Sequence, residues 1–162
     1  MHTIRRATQA DKEAIRRVHF RAVAVTCASH YPPEVILLWA GGLRPEKYAG
    51  AIEANEFFVA EERGEVVGFA ELDPAAAEVQ GLYVSPAAGR RGVGRDLLRT
   101  LEERARAFGL ESLGLTSSLN AVAFYERAGF EARERLTKTI GPGAERASVR
   151  MSKRLPRPDA PG

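Results

Sequence analysis

Gly81-Leu82-Tyr83-Val84, Ser85-Pro86-Ala87-Ala88 and Gly89-Arg90-Arg91-Gly92-Val93-Gly94-Arg95 lead without interruption into the run Asp96 to Phe108. The order reads as strand, tight basic loop, helix. Val93, Leu97, Leu101, Ala105 and Phe108 recur at spacings of four and three, one face of a 3.6-residue repeat. Arg95, Arg99, Glu102, Glu103 and Arg106 form the opposite, solvated face, where Glu102 and Arg106 stand as an i,i+4 pair worth about 0.2–0.5 kcal/mol. Gly109 follows as a helix-terminating residue.

The glycines and arginines at the strand-to-helix turn have a physical use. The first four backbone N–H groups of a helix lack internal partners and carry the positive end of its dipole. Glycines at 92 and 94 keep side chains away from those groups, and Arg90, Arg91 and Arg95 add charge around them. Together they read as a cradle for a diphosphate.

Three glycine loops compete for this pattern. A P-loop requires Gly-Lys-Ser/Thr, whereas Gly94 is followed by Arg95-Asp96. A dinucleotide fingerprint requires a third glycine where Leu97 stands, and an acid after the next strand rather than Glu111 before it. The third is an acyl-CoA loop. Val84-Ser85-Pro86, followed by Gly92-Val93-Gly94, resembles motif A of the GNAT superfamily of acyl-CoA-dependent N-acyltransferases. Gly92 and Gly94 match that motif, while Gly89 stands where Gln or Arg is usual. Downstream, the segment Asn120 to Phe130 resembles motif B, with Asn120, Phe124-Tyr125 and Gly129-Phe130 as the matching residues. The resemblance spans about residues 2 to 155.

The resemblance implies a single α/β domain over residues 1–155, a mixed and mostly antiparallel sheet with helices on both faces, and a flexible tail at 156–162. It implies an acetyltransferase that moves an acetyl group from acetyl-CoA to a primary amine by direct attack, with no acyl-protein intermediate. Leu82, Tyr83 and Val84 would supply the backbone N–H for the acyl oxygen and the edge for the pantetheine arm. Gly89, Arg90, Arg91, Gly92, Val93, Gly94 and Arg95 would hold the diphosphate. Asn120 would contact the CoA, and Tyr125 would stand near its sulfur as proton donor. Glu78 is the expected base, with Glu71 and Asp73 as rivals. Tyr31 and Trp39, in the segments that line the acceptor cleft of that family, are candidates for acceptor contact. Homodimers are common among such relatives. A non-catalytic acyl-CoA sensor or assembly module is the alternative.

Composition bounds the rest. The chain has 162 residues, 44% apolar and 28% charged, which is ordinary for a globular protein. The 24 basic and 21 acidic residues are interspersed, for a net charge of +3, so a nucleic-acid stripe is absent. The resemblance implies a small-molecule or peptide amine as acceptor. One cysteine, Cys27, excludes a disulfide framework and a Cys-based zinc site, and His2, His19 and His30 show no ligand spacing, so no metal is expected. No apolar run approaches about 18 residues and no signal peptide is present, which together with the lone cysteine predicts a cytoplasmic protein without a membrane span.

Outward from the central stretch, Thr3–Arg6 reads as a strand, and Thr8 to Asp11 as a helix cap. The helix that follows is expected to bury Ala14, Ile15, Val18, Ala22 and Val25, with Cys27 as a small buried hydrophobe near its end. Pro33 opens another helix to Ala40, and Pro45 a third to about Ala54. Strands 57–62 and 66–73 join through Arg63-Gly64, and strand 78–84 follows, where Gly81 suggests a bulge or a close approach. A period of two puts Glu78, Gln80, Leu82 and Val84 on one face. Strand 112–116, helix 120–127 and strands 131–139 and 147–155 complete the expected order.

Overall fold

The computed structural model describes residues 1–156; the expected tail falls, from residue 157 on, outside the described residues. The elements are β1 (Thr3–Arg6), α1 (Lys12–Arg21), α2 (Pro33–Gly41), α3 (Glu46–Ala54), β2 (Glu56–Glu62), β3 (Glu65–Asp73), β4 (Glu78–Val84), α4 (Val93–Ala107), β5 (Ser112–Ser118), α5 (Val122–Arg127), β6 (Glu131–Gly141) and β7 (Ala144–Arg154). The strands form one seven-stranded sheet in the order β1-β2-β3-β4-β5-β7-β6. Only β4 and β5 pair in parallel, and α4 is the crossover between them. The α/β class, the mixed sheet and its mostly antiparallel pairing are those expected from the sequence.

Side-chain alternation divides the sheet between two layers. On one face Ala60, Ala70, Leu72, Val79, Leu115 and Met151 meet the buried stripe of α4, Val93, Leu97, Leu101 and Ala105, together with Tyr125 and Phe130. On the other, Phe57, Val59 and Phe69 meet Ile15 and Val18 of α1 and Tyr48 of α3. A third cluster, Cys27, Tyr31, Val35 and Ala144, seats α2 against the β6–β7 hairpin. Truncating a fully buried leucine such as Leu101 costs about 2–5 kcal/mol in such a core.

Local chemistry fixes the joints. Arg63 and Gly64 both take positive φ, 53° and 78°, which is what a two-residue hairpin requires. The Asp11 carboxylate accepts from the Thr8 backbone N–H at 2.8 Å, capping the entry to α1.

Several expectations are corrected. Val25 is exposed, because residues Ala22–Thr26 form a π-helical turn that shifts the phase of α1 and turns Val23 inward instead. Glu102 is not on a solvated face: it is buried and accepts from Lys153 Nζ at 2.5 Å, so the pair with Arg106 does not form. Phe108 is half exposed, under the Arg104 guanidinium at 5.5 Å. Helix α4 begins at Val93, so the second half of the expected loop is already helical. In β4, Gly81 pairs with Glu71 and Val79 with Leu72, which leaves Gln80 as a bulge. The period of two is broken there, and Val79 shares the α4 face with Leu82 and Val84.

The bulge turns Glu78 toward the face opposite α4, where Arg150 of β7 reaches across β5 to bind both of its carboxylate oxygens. Gly114 on β5 makes that crossing possible, since a Cβ there would fall on the Arg150 guanidinium. Gly114→Ala should therefore displace Arg150 and destabilise the protein by about 1 kcal/mol, the scale of a partly exposed ion pair. In an Arg150→Ala background the same change should become neutral or stabilising, because alanine suits a strand better than glycine. Urea denaturation midpoints of the four proteins measure the difference.

Candidate active site

The parallel pairing of β4 with β5 lasts two residues, Glu78 opposite Gly114 and Val79 opposite Leu115. Beyond Val79 the strands part, and from Gln80 to Val84 the β5-side edge of β4 has no strand partner. A cleft of about 920 Å³ opens in the gap, within the range of about 300–1,000 Å³ usual for ligand sites. Its walls are the end of β4, the turn into α4, the end of β5 with the start of α5, and the π-helical turn after α1.

At the turn, Gly92 takes φ +80°, a conformation that disfavours any side chain, and caps α4. Asp96 N–H is the first to bond back, to the Gly92 carbonyl at 3.0 Å, so the amides of Gly92, Val93, Gly94 and Arg95 are the unpartnered donors of the helix start. All four residues line the cleft. A Cβ on Gly94 would stand 3.4 Å from the Phe124 ring and 3.6 Å from Val84, so glycine there keeps the mouth of the cleft open. Gly89 has an extended backbone, φ −66°, which any residue adopts.

Leu82, Tyr83, Val84, Gly89, Arg90, Arg91, Gly92, Val93, Gly94, Arg95 and Asn120 all line this one cleft. The arginines differ, however. Arg91 is tethered to Glu62 at 2.8 Å and to the Ala87 carbonyl at 3.3 Å, while Arg90, at φ +66°, and Arg95 form no ion pair among the described residues. Asn120 Oδ1 is buried without a hydrogen-bond partner, an acceptor left waiting in the wall.

Tyr125 stands one layer back. It is 6% exposed, edge-on to Phe124 at 5.1 Å and to Phe130 at 5.7 Å, and its hydroxyl makes no hydrogen bond among the described residues. Burial pushes its phenol above the ordinary value, and the same holds for Tyr83, so both are neutral donors at physiological pH.

The carboxylates separate by partner. Glu78 has both oxygens engaged by Arg150. Glu71 accepts one hydrogen bond, from Asn55 Nδ2 at 2.7 Å. Burial, with the Asp73 charge beside it, pushes Glu71 above the usual carboxylate range, against the opposing pull of Asn55 and Lys47. Asp73 Oδ1 is occupied by the Ala75 backbone N–H at 3.1 Å.

The two acceptor candidates lie outside the cleft wall. Tyr31 is buried and already used twice: it donates to the Ala147 carbonyl at 2.6 Å and accepts from the Leu119 N–H at 2.9 Å. Trp39 is half-buried between Tyr31, at 5.4 Å, and the Arg146 guanidinium, at 4.5 Å.

Sequence reasoning missed four residues in or behind the wall. Cys27 is buried, as expected, but lies in the wall beside Ser118 and Asn120, and burial raises its thiol to about 11. Arg127, at the end of α5, adds a cation, and Phe124 faces the cleft rather than only the core. Behind Tyr83, His19 stacks at 4.1 Å and bonds Tyr48 Oη through Nδ1 at 2.8 Å. Burial, helped by the Lys47 and Arg146 charges, lowers His19 to about 3, so it is a neutral brace for the Tyr83 ring. Its position four residues after Ile15 was the available signal. Among the described residues no group of His, Cys, Asp and Glu could hold a metal ion, and no helix is long and apolar enough to cross a membrane.

Comparison with known proteins agrees with this geometry. The model of the GNAT acetyltransferase family matches residues 22–130. The uncharacterised N-acetyltransferase YafP of Escherichia coli (strain K12) is 28% identical over 128 residues, 79% of this chain and 80% of YafP. A GCN5-related N-acetyltransferase from Rhodopseudomonas palustris superposes with a TM-score of 0.88 at 29% identity, over 94% of this chain and 95% of that one. YncA from Salmonella typhimurium, solved with its cofactor acetyl-CoA, superposes with a TM-score of 0.72 at 25% identity, over 100% and 98% of the two chains.

The turn residues fit coenzyme A: free amides, two unpaired arginines and a glycine that a side chain would fill. Gly94→Val adds methyls against Phe124 and Val84, with overpacking strain of about 1–3 kcal/mol at the mouth. Calorimetry should show CoA affinity falling about tenfold or more in a variant whose circular dichroism is unchanged. Wild-type affinity should also weaken with salt, as charges at an exposed turn are screened.

Proposed function

The chain belongs to the GNAT family of acetyltransferases, which take acetyl-CoA as acyl donor, and from that premise we propose that it passes the acetyl group straight to a primary amine in a ternary complex. The observation that carries this reading is the cleft between the parted strands, which runs from the α4 start past the free edge of β4. Acetyl-CoA supplies an activated acyl carbonyl as a thioester, and the protein's residues do the rest.

The amides of Gly92 to Arg95, with Arg90 and Arg95, hold the diphosphate at the positive end of α4. The free edge of β4 from Leu82 to Val84 offers backbone N–H groups to the acyl oxygen, donors that need no reorganisation as charge develops there. Asn120 Oδ1 accepts from an amide N–H of the donor's arm. Cys27 carries no acyl group: its raised thiol is protonated at neutral pH, which supports direct transfer.

Glu71 is the base this reading favours, in place of Glu78. An amine with a pKa of about 10 arrives as ammonium and must lose a proton before it can attack. Glu78 has no oxygen free for that proton, whereas Glu71 has one oxygen uncommitted and an affinity for protons raised by burial. Tyr125 donates a hydrogen bond to the departing sulfur, as its hydroxyl is unengaged and its proton is held by burial. Charge on that sulfur exists only as the bond breaks, so the interaction lowers the barrier without tightening ground-state binding.

Two outcomes follow. Glu71→Gln should lower kcat by about 10²–10⁴-fold and remove the acid limb of the pH–rate profile, while Glu78→Gln leaves that limb in place. The same change should alter stability with a defined sign. The folded pKa of Glu71 lies above its unfolded value, so its contribution is fully present below the unfolded pKa and is lost as pH rises through the folded one. Glu71→Gln should therefore raise Tm at about pH 8 and not at about pH 4. A Glu71→Gln variant with wild-type stability, wild-type activity and an unchanged profile would transfer the role to water.

Tyr125→Phe should reduce kcat by about 10²–10⁴-fold and leave the Kd for acetyl-CoA nearly unchanged. Loss of affinity with kcat intact would make Tyr125 a packing residue and favour the cofactor-binding module over the enzyme.

A further inference from the structure

Glycine weakens a strand, and the glycines in the strands on either side of β4 have a reason in the fold. A Cβ on Gly68 of β3 would meet Leu97 Cδ1 at 3.1 Å and the Tyr83 carbonyl at 3.2 Å, because α4 packs on that spot. At Gly114 of β5 the Arg150 guanidinium takes the space. Gly81 of β4 has no such reason. Its backbone takes no left-handed φ, and the extra residue of the neighbouring bulge is Gln80. A Cβ on Gly81 would stand 3.7 Å from Phe69 Cε2 and 3.8 Å from Tyr83 Cε2, both ordinary contact distances. Among the described residues, no other atom outside its chain neighbours would lie within 4 Å. Alanine would fit there and would suit the strand better, so folding does not require the space over Gly81 to be empty.

The strand register fixes what borders that space. Gly81 lies directly opposite Glu71, and Tyr83 directly opposite Phe69, so all four share the face away from α4. Beyond Glu71 the row continues to Phe57 of β2. On the other flank of Gly81 there is no strand, because the pairing with β5 stops at Val79. The space over Gly81 therefore lies between the proposed base and the open gap, beside Tyr83, which lines the cleft. Gly81 and Glu71 both remain partly exposed. The Tyr83 ring is held in place by Phe69 at 5.7 Å and His19 at 4.1 Å.

We propose that the carbon bearing the acceptor's amine rests on Gly81 with its nitrogen toward Glu71, and that Gly81 thereby selects amines on an unbranched carbon. This inference rests on the transferase reading above. A methylene seated on Gly81 meets two ring edges, apolar C–H against C–H, while the nitrogen is left on the side of Glu71, whose one free oxygen is not taken by Asn55. Once neutral, that nitrogen is next to the free edge from Leu82 to Val84, where the acyl carbonyl is held, and proximity of this kind is a large part of the rate. A second substituent on the same carbon would press on the edges of Phe69 and Tyr83 or on the thioester itself. The rings have little room to withdraw: Phe69 stacks on Phe57 at 5.6 Å and meets Tyr48 at 6.0 Å, and Tyr83 is backed by His19.

The test is Gly81→Ala, which puts a methyl where the acceptor carbon would rest. Wild type and variant are mixed with acetyl-CoA and matched amines, and free thiol is followed. The pairs are n-butylamine against sec-butylamine, and lysine amide blocked at Nα against lysine amide blocked at Nε. Wild type should favour the amine on the unbranched carbon by at least about tenfold in kcat/KM. Gly81→Ala should lower kcat/KM for that amine by about tenfold or more and leave the Kd for acetyl-CoA within about twofold. Its Tm should be unchanged or higher by up to about 4 °C, an outcome that a merely structural glycine would not give. Wild-type kinetics in a folded Gly81→Ala variant, or turnover of the branched amines at parity, would overturn the inference while sustaining the transferase reading. A lower Tm together with weaker acetyl-CoA binding would assign the glycine to the fold and overturn it as well. If no amine is turned over by wild type, the transferase reading fails and the inference falls with it.

Discussion

The parting of β4 from β5 after Val79 is the constraint on which the rest of the molecule depends. Two parallel strands that stayed paired would be covered by α4 and would leave no edge for a ligand. Here the bulge at Gln80 re-aims β4 just as the pairing ends, and the strand then runs on toward the turn without a β5 partner. The far side of the gap is filled by α5, whose Phe124 faces Gly94 and Val84 across it. One glycine at φ +80° then swings the chain into α4, so that free β4 edge and free helix amides open on the same space. Strand geometry, glycine conformation and helix polarity converge on one cleft.

Charge is arranged around that cleft with equal economy. Glu78 and Arg150 neutralise each other across β5, made possible by Gly114, and Glu102 and Lys153 do the same beneath α4. These acids brace the sheet and the helix. Glu71 is different because burial raises its proton affinity and Asn55 leaves one of its oxygens uncommitted. The aromatic layer behind the cleft is similarly divided. Tyr31 and Tyr48 are engaged with Ala147, Leu119 and His19, whereas the Tyr125 hydroxyl is not. A group whose hydrogen bonds are all made within the fold holds structure; one that lacks a partner is available for chemistry.

How much of this was legible in the sequence follows from how local each feature is. The glycine turn and the stripe of α4 were legible because a positive φ and a 3.6-residue period are written in neighbouring residues. The strands, their order of appearance and the hairpin at Arg63-Gly64 were legible for the same reason. The partners of the acids were not, because Glu78 is occupied by Arg150, 72 residues away, and Glu102 by Lys153, 51 residues away. The π-helical turn that exposes Val25 leaves no mark in composition. Tyr31 read as an acceptor contact because its segment lines the acceptor cleft in the resembled family; only the folded chain reveals that its hydroxyl clamps the segment before α2 to β7 and to the turn before α5.

The central claim is that the α4 start and the free β4 edge together form the coenzyme A site. Backbone amide resonances followed by NMR during a titration with CoA test it directly. The account predicts the largest shifts at Gly92, Val93, Gly94 and Arg95, with a second group at Leu82 to Val84. It also predicts slower amide exchange at the same positions in the saturated protein. Binding with those amides unmoved, and shifts gathered elsewhere on the sheet, would contradict it.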